Sequence, residues 1–396
     1  MVDTAVVLAA GEGTRLRPLT RNRPKPMLPA ANRPILEHVL DALVDAGARQ
    51  IVIVVGYKRD RVQDHFGPTY RDVPITYARQ DKQLGTGHAL LQAREHVEGS
   101  MLVVNGDGLV DATLVQDVCT AFDRGDGEPT LAVLEGPDAR QYGAVTLRGE
   151  FIQEIIEKPQ TDEYRLINAG IYAFDDDIFE AIDETPRTDG ELALTDTLAR
   201  ELERRRVRGV ETDGLWVDAT YPWDLLVVAS ETLRHGLADE PERDDRVWVD
   251  ETATVHEDAT LQPPVVVGPD CEIGPGAVVG PHSALGRNVT IGANATVSKT
   301  VLDVDTRVEV GSTLLDTVAG QNVRLGPGSV VSGGPADVRV GNEIFEDEAL
   351  GAVIADRVRA DGNVGFAPGS LVGPNAHLDT GVTVDGQVRE NAEVRR

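Results

Sequence analysis

From residue 247 onward, apolar residues recur every six positions: Val249, Val255, Leu261, Val267, Ile273, Val279, Leu285, Ile291 and Val297. With 41% hydrophobic residues in the chain, nine hits in one register would arise by chance roughly 3 times in 10,000. Glycine follows five of them, as Gly268, Gly274, Gly280, Gly286 and Gly292. Ile354, Ala360, Phe366, Val372, Leu378 and Val384 restore the same period later. Six residues per repeat fits neither an α-helix nor an alternating strand. It suits a parallel β-helix, in which one inward aliphatic recurs on each flat side and small residues turn the corners. Between about 299 and 350 the register slips, so insertions or a protruding loop are expected there.

The first 235 residues follow a different rule. Ala5 to Ala9, Ile51 to Val55 and Met101 to Val104 are short apolar runs that read as buried strands. Between them Ile35, Leu36, Val39, Leu40, Leu43 and Val44 repeat at helical spacing, and Gly47 stops that helix. This alternation implies a mostly parallel sheet covered on both faces. Residues 195–206 read as a helix capped by Thr195, and 223–235 as another. The charged stretch 236–246 reads as a linker. A chain of 396 residues exceeds one ordinary core, and it divides at 1–235, 236–246 and 247–396.

The chemistry concentrates in the first part. Leu8, Ala9, Ala10, Gly11, Gly13, Thr14, Arg15 and Arg17 lead into Pro24-Lys25-Pro26. A glycine-rich turn directly after a strand lets backbone N–H groups approach phosphates. The P-loop spacing is absent, and Leu16 stands where a dinucleotide fingerprint needs its third glycine. Arg15 and Lys25 supply fixed cations suited to a triphosphate whose pyrophosphate must leave. Gln80 and the run Gln83-Leu84-Gly85-Thr86-Gly87-His88-Ala89 follow. A glutamine amide offers a donor beside an acceptor, which can match the imide edge of uracil or thymine. Asp107 lies just past a strand, where ligands of such sheets bind. Asp218 in Trp216-Val217-Asp218 is a second carboxylate, and Tyr142-Gly143, Glu157-Lys158-Pro159 and Asn168-Ala169-Gly170 complete the set.

The stretch Leu8–Pro29 resembles the signature of the sugar-1-phosphate nucleotidylyltransferases, and the later motifs follow in that family's order over most of residues 1–235. The resemblance implies a Rossmann-like α/β domain that joins a nucleoside triphosphate to a sugar-1-phosphate and releases pyrophosphate. It implies that Asp107 and Asp218 hold Mg²⁺ and that Leu8–Gly11, Gly13, Thr14, Gln80, Gly85 and Thr86 bind the nucleotide. Gly143, Glu157 and Asn168 would contact the sugar, Lys158 its phosphate, and Arg15 and Lys25 the departing pyrophosphate. His88 would be structural.

The hexapeptide part resembles the left-handed β-helix of the acyltransferase superfamily. Together the two parts resemble the archaeal bifunctional N-acetylglucosamine-1-phosphate uridylyltransferase/glucosamine-1-phosphate acetyltransferase type. A second activity with acetyl-CoA would need a histidine base. His256, His282 and His377 fall in no segment matching that family's catalytic histidine, and Gly328–Gly334 stands where its asparagine-bearing segment would be. A structural β-helix that assembles the chain, most simply as a trimer, is the expected alternative. A non-catalytic regulatory subunit of the same layout would be expected to lose Lys25, Asp107 or Asp218, and all three are present.

Charge bounds the partners. The net charge is −28, from 66 acidic and 38 basic residues, and only Lys25, Lys58, Lys82, Lys158 and Lys299 are lysines. Such a surface disfavours nucleic acid. There is no apolar run long enough for a membrane span and no basic leader, so a cytoplasmic protein is expected. Cys119 and Cys271 make neither a disulfide framework nor a zinc site. Dispersed like charge repels itself and salt screens that repulsion, so the composition reads as adaptation to a salty cytoplasm. The unfolding midpoint is therefore expected to rise with KCl up to molar concentration; a flat or falling curve would contradict this.

Overall fold

The computed structural model describes residues 2–136, 139–159, 161 and 163–396. They pack as two compact units that interleave along the chain. The first takes the residues up to Glu12, Pro24–Met27 and Ile35–Trp216; the second takes Gly13–Arg23, Leu28–Pro34 and Val217–Arg396. The packing thus departs from the sequential division at 235 and 246 read from the sequence.

In the first unit, Met101–Asn105, Thr4–Ala9, Gln50–Val55 and Val73–Arg79 form neighbouring parallel strands. Leu166–Phe174 then returns antiparallel between Met101–Asn105 and Thr130–Glu135. The whole sheet has ten strands and is mixed at that side. Side chains alternate as a pleat requires: Val6 and Leu8 enter one core, and Ala5, Val7 and Ala9 the other. Helix Ile35–Asp45 packs by Leu36, Val39, Leu40 and Leu43 on the second face. It ends as expected before Gly47, whose φ of 100° suits glycine. The helix read at 195–206 is Leu194–Glu201, and Ala193 is its N-cap. Thr195 is therefore in the first turn rather than at the cap.

The second unit contains the β-helix. Val247 pairs with Val265 and Val265 with Ser283, all in parallel. Successive coils add strands to three stacked sheets of nine, eight and seven strands, the nine including the antiparallel Glu242–Asp244 at its edge. The periodic residues fill the interior from Val249 and Val267 through to Leu378 and Val384. The slipped register has two causes. Val301 and then Val318 follow their partners after coils one residue shorter. The next coil, from Val318 to Val353, holds an antiparallel hairpin, Ala336–Val340 with Glu343–Glu348. That hairpin is the expected protrusion, and its Phe345 lies 4.4 Å from the Tyr221 ring and 5.3 Å from that of Trp223.

The stretch expected to be a linker is structured. Glu242–Asp244 pairs antiparallel with Val247–Val249. Asn32 donates to Glu240, and Arg33 pairs with Asp239. Helix Asp224–Arg234 lays Ala229 and Leu233 on Trp248, Val266, Ala284 and Val301. A charged composition favours solvent only when nothing complementary is near; here the partners lie elsewhere in the unit.

Arg23 anchors the Gly13–Arg23 segment within this unit. Its guanidinium is buried and pairs with Asp303 and, at 3.2 Å, with Asp356. Burial alone would lower its pKa, but the two carboxylates outweigh that and hold it above the usual arginine value. Removing one member of such a group strands the others without compensation. Arg23→Met should cost about 3–5 kcal/mol of stability, to a similar extent at low and high KCl, because salt does not reach a buried group. Adding Asp303→Leu and Asp356→Leu should recover most of the loss. An unchanged unfolding midpoint in the single variant would refute this.

Candidate active site

In the first unit the glycine-rich turn begins where strand Thr4–Ala9 ends. A side chain at Gly11 would meet nothing within 4 Å, so neither packing nor backbone conformation demands that glycine. The open space suits close approach of a ligand to the backbone. Gly56 is different: a Cβ there would come within 2.8 Å of the Ala10 carbonyl oxygen. That oxygen also accepts from Gln83 Nε2 at 3.0 Å, while the Leu8 carbonyl accepts from the Gly106 N–H. The ends of two strands are thereby locked beside each other.

The segment expected to recognise the base is braced from within. Gln80 is 5% exposed. Its Nε2 donates to the Gly85 carbonyl at 3.2 Å and lies 2.9 Å from His88 Nδ1. Burial and then Arg187 lower the His88 pKa, keeping the ring neutral and able to accept. Among the described residues, nothing donates to Gln80 Oε1. Gly85 has φ of 97°, and a Cβ there would sit 2.4 Å from the Leu192 carbonyl. Leu192 donates to Leu84 and accepts from Gly87, and the Thr86 hydroxyl accepts from the Leu194 N–H. The segment around Asp189–Asp196 is thus the back support of this loop. Thr86, expected at the nucleotide, spends its side chain on that support.

Asp107 follows strand Met101–Asn105. Lys25 Nζ meets its Oδ2 at 2.8 Å; the lysine side chain is 10% exposed and the aspartate 42%. The lysine is therefore fixed against the carboxylate expected to bind metal, which still faces solvent. Gly106 carries no side chain for a packing reason: a Cβ would lie 2.9 Å from Val7 Cγ1.

The residues expected at the sugar converge. A Cβ on Gly143 would lie 3.3 Å from Thr195 Cγ2, 3.4 Å from Asn168 Cβ and 3.4 Å from Glu157 Oε2. Asn168 donates to the buried Tyr172 hydroxyl at 2.7 Å and accepts from the Gly170 N–H. Burial raises the Tyr172 phenol far above its usual value, so it stays protonated. Lys158 lies 3.8 Å from Glu157, and both are about half exposed. Thr195 donates to Glu157 Oε2 at 3.1 Å. Its role was invisible in the sequence, because its partner stands 38 positions away.

The remaining site residues belong to the second unit. Gly13 adopts the left-handed conformation that opens the turn Thr14–Leu16, and its carbonyl accepts from the Thr20 hydroxyl at 2.7 Å. Arg15 is exposed on that turn. Asp218 accepts from the Thr220 hydroxyl. Burial raises the Tyr221 phenol, whose charged neighbours are Arg15, Glu343, Asp224 and Asp218.

The β-helix histidines are dispersed. His256 is on the surface beside Asp258, His282 bonds Ser230 at 2.8 Å, and His377 bonds Asp361 at 2.9 Å. Burial, followed by nearby cations, lowers the His282 pKa, while the Asp361 bond raises that of His377.

Removing the Thr195 hydroxyl would free Glu157 from its hydrogen bond to that side chain. Thr195→Val should raise KM for the sugar phosphate about threefold to tenfold, with kcat changed less, as fits the loss of one hydrogen bond. Thr195→Ser should restore it. An unchanged KM in the valine variant would remove Thr195 from the site.

Residues 4–235 match the nucleotidyl transferase family, and 264–299 match the bacterial transferase hexapeptide repeats. A bifunctional protein GlmU of Methanococcus maripaludis is 32% identical over 98% of this chain and 96% of its own. UTP–glucose-1-phosphate uridylyltransferase AglF of Haloferax volcanii is 39% identical over 56% of this chain and 92% of its own. Among solved structures, a UTP-bound UGPase from Acinetobacter baumannii superposes with a TM-score of 0.53 at 25% identity, covering 60% of this chain and 94% of that one. The chain belongs to the nucleotidyl transferase family and is a sugar-1-phosphate nucleotidylyltransferase with a C-terminal hexapeptide-repeat domain.

Proposed function

We propose that the chain transfers a uridylyl or thymidylyl group from UTP or dTTP to glucose-1-phosphate or N-acetylglucosamine-1-phosphate, with Mg²⁺, and releases pyrophosphate. The observation that carries the pyrimidine choice is Gln80. Its amide nitrogen is engaged by Gly85 and His88, so its carbonyl oxygen would be the group left to accept from a base. Uracil and thymine offer a ring N–H between two carbonyls, which one acceptor flanked by backbone N–H groups can satisfy. The Haloferax relative is a UTP-dependent uridylyltransferase and the Acinetobacter structure is UTP-bound, which supports the same choice.

In the reaction, a sugar-phosphate oxygen attacks the α-phosphorus. The new P–O bond forms as the bond to the bridging oxygen breaks, and pyrophosphate leaves with that electron pair. The phosphate monoester is already nucleophilic at neutral pH, so catalysis reduces to positioning and charge neutralisation. Lys158 beside Glu157 would receive the sugar phosphate, and Gly143, Glu157 and Asn168 the sugar. Arg15 and Lys25 would stabilise the departing pyrophosphate. Asp107 and Asp218 would hold Mg²⁺, whose charge offsets that of the phosphates; the half-open Asp107 carboxylate is the hard oxygen donor this ion prefers.

The β-helix is proposed to assemble the chain, as a trimer, rather than to run a second efficient transfer. Its outer surface exposes Val310 and Val330, 51% and 43%, and none of its three histidines falls in a segment matching the family's catalytic histidine.

One experiment tests these readings together. Pyrophosphate release is measured with UTP, dTTP, GTP and ATP against several sugar-1-phosphates, on wild type and Asp107→Ala, with the mass read by light scattering. Asp107→Ala should lose about a hundredfold or more in turnover, and near-normal activity in saturating Mg²⁺ would sink the metal assignment. Comparable rates with GTP or ATP would refute the base assignment. A mass of one chain would end the trimer, and robust thiol release from acetyl-CoA with glucosamine-1-phosphate would overturn the structural role of the β-helix.

A further inference from the structure

Positive charge is scarce in this chain, yet five arginines line one cavity of about 810 Å³: Arg15, Arg17, Arg21, Arg339 and Arg389. The acidic residues in its wall are Glu343 and Glu390. Glu390 lies 3.7 Å from Arg21, with both side chains nearly half exposed. Arginines therefore outnumber carboxylates in the lining of a protein whose net charge is −28. A concave wall of one sign focuses its field, and guanidinium forks match phosphate oxygens in pairs.

The cavity is built, not a gap between loose loops. All of its wall lies in the second packing unit. Arg339 rides on the hairpin inserted between β-helix coils. That hairpin is pinned on one side by Phe345 against Tyr221 and Trp223. On the other side Gln387 Nε2 donates to the Arg339 carbonyl at 2.8 Å. Tyr221 and Leu371 add apolar wall, and Asn342 and Gln387 add amides.

Most of the lining is distinct from the residues assigned to the reacting nucleotide and sugar. Gln80, Gly85, Lys25, Asp107, Glu157 and Asn168 take no part in it. Of the residues assigned above to the nucleotide, sugar, metal or pyrophosphate, Thr14 and Arg15 also line the cavity.

We propose that this cavity is a second anion site, which binds a phosphate-bearing small molecule while the catalytic site holds its nucleotide. Because Thr14 and Arg15 form part of both, its occupant alters the apparent affinity for the nucleoside triphosphate. The shared ligand chemistry is a multiply charged phosphate group; it could come from the pyrophosphate product or from free phosphate. The proposal rests on the nucleotidylyltransferase reading only for the position of the first site.

The test uses the full chain with saturating UTP and no sugar phosphate, so that no turnover occurs. Inorganic phosphate and inorganic pyrophosphate are titrated separately by calorimetry, with Trp223 emission as a second signal. Binding is expected for at least one probe, and whichever binds identifies the source. Arg339→Ser/Arg389→Ser should weaken it tenfold or more, and the Lys/Lys double variant should recover part. In assays, the probe that binds should shift KM for UTP at least twofold in wild type and leave the Ser/Ser variant unmoved, with kcat of that variant otherwise near normal. No binding of either probe, equal binding by the Ser/Ser variant, or binding abolished by saturating UTP would each overturn the proposal. If wild type binds a probe beside UTP but transfers no nucleotidyl group, the catalytic reading fails and the anion site stands.

Discussion

One buried arginine sets the frame of the second unit. Arg23 sits between Asp303 and Asp356, two carboxylates from different coils of the β-helix. None of the three charges could be buried alone at tolerable cost. Together they fix the segment that begins at Gly13 and carries Arg15. The Asp356 carboxylate also accepts from the Gln321 N–H, and the Asp303 carboxylate from the Val304 N–H, so the partners are themselves held. The phosphate-cradling role proposed for this loop calls for such fixed backing, because preorganised charge costs no rearrangement when the reaction occurs.

The same economy governs the first unit, where most polar groups near the presumed substrates are tied to a second layer. Gln80 is held by Gly85 and His88, Glu157 by Thr195, Asn168 by Tyr172 and Gly170, and Asp107 by Lys25. Gly143 shows how close the packing is: even a methyl group there would press on three of these side chains. A site arranged this way can select by position alone, which suits a reaction that needs no proton removed.

The β-helix supplies rigidity to the surfaces around it. Its interior is filled by one aliphatic per flat side per coil, so every coil is locked to its neighbours and outer residues stand at fixed spacing. The helix Asp224–Arg234 uses one of these faces, resting on Val266, Ala284 and Val301. The inserted hairpin uses one end, bringing Phe345 to Tyr221 and Arg339 to the cavity. Two features absent from a uniform hexapeptide array, the shorter coils and the hairpin, account for the break in the repeat.

Residue order by itself determined the elements whose cause is local. The six-residue period specified the β-helix because each interior position needs its own aliphatic, and the apolar runs specified the buried strands. The motif residues at Leu8–Lys25, Gln80–Thr86, Asp107, Gly143, Glu157, Asn168 and Asp218 named the chemistry, since charge and hydrogen-bonding type are carried by the side chain alone. Only the tertiary structure decided which residues share a packing unit. It placed Gly13–Arg23 with the β-helix, turned an apparent linker into paired backbone, moved Thr195 from a helix cap to the support of Glu157, and gathered five arginines around one cavity. Those outcomes depend on pairs of residues tens to hundreds of positions apart, and the energy of a buried charge or a long-range hydrogen bond belongs to the pair, so neither member's local sequence can reveal it.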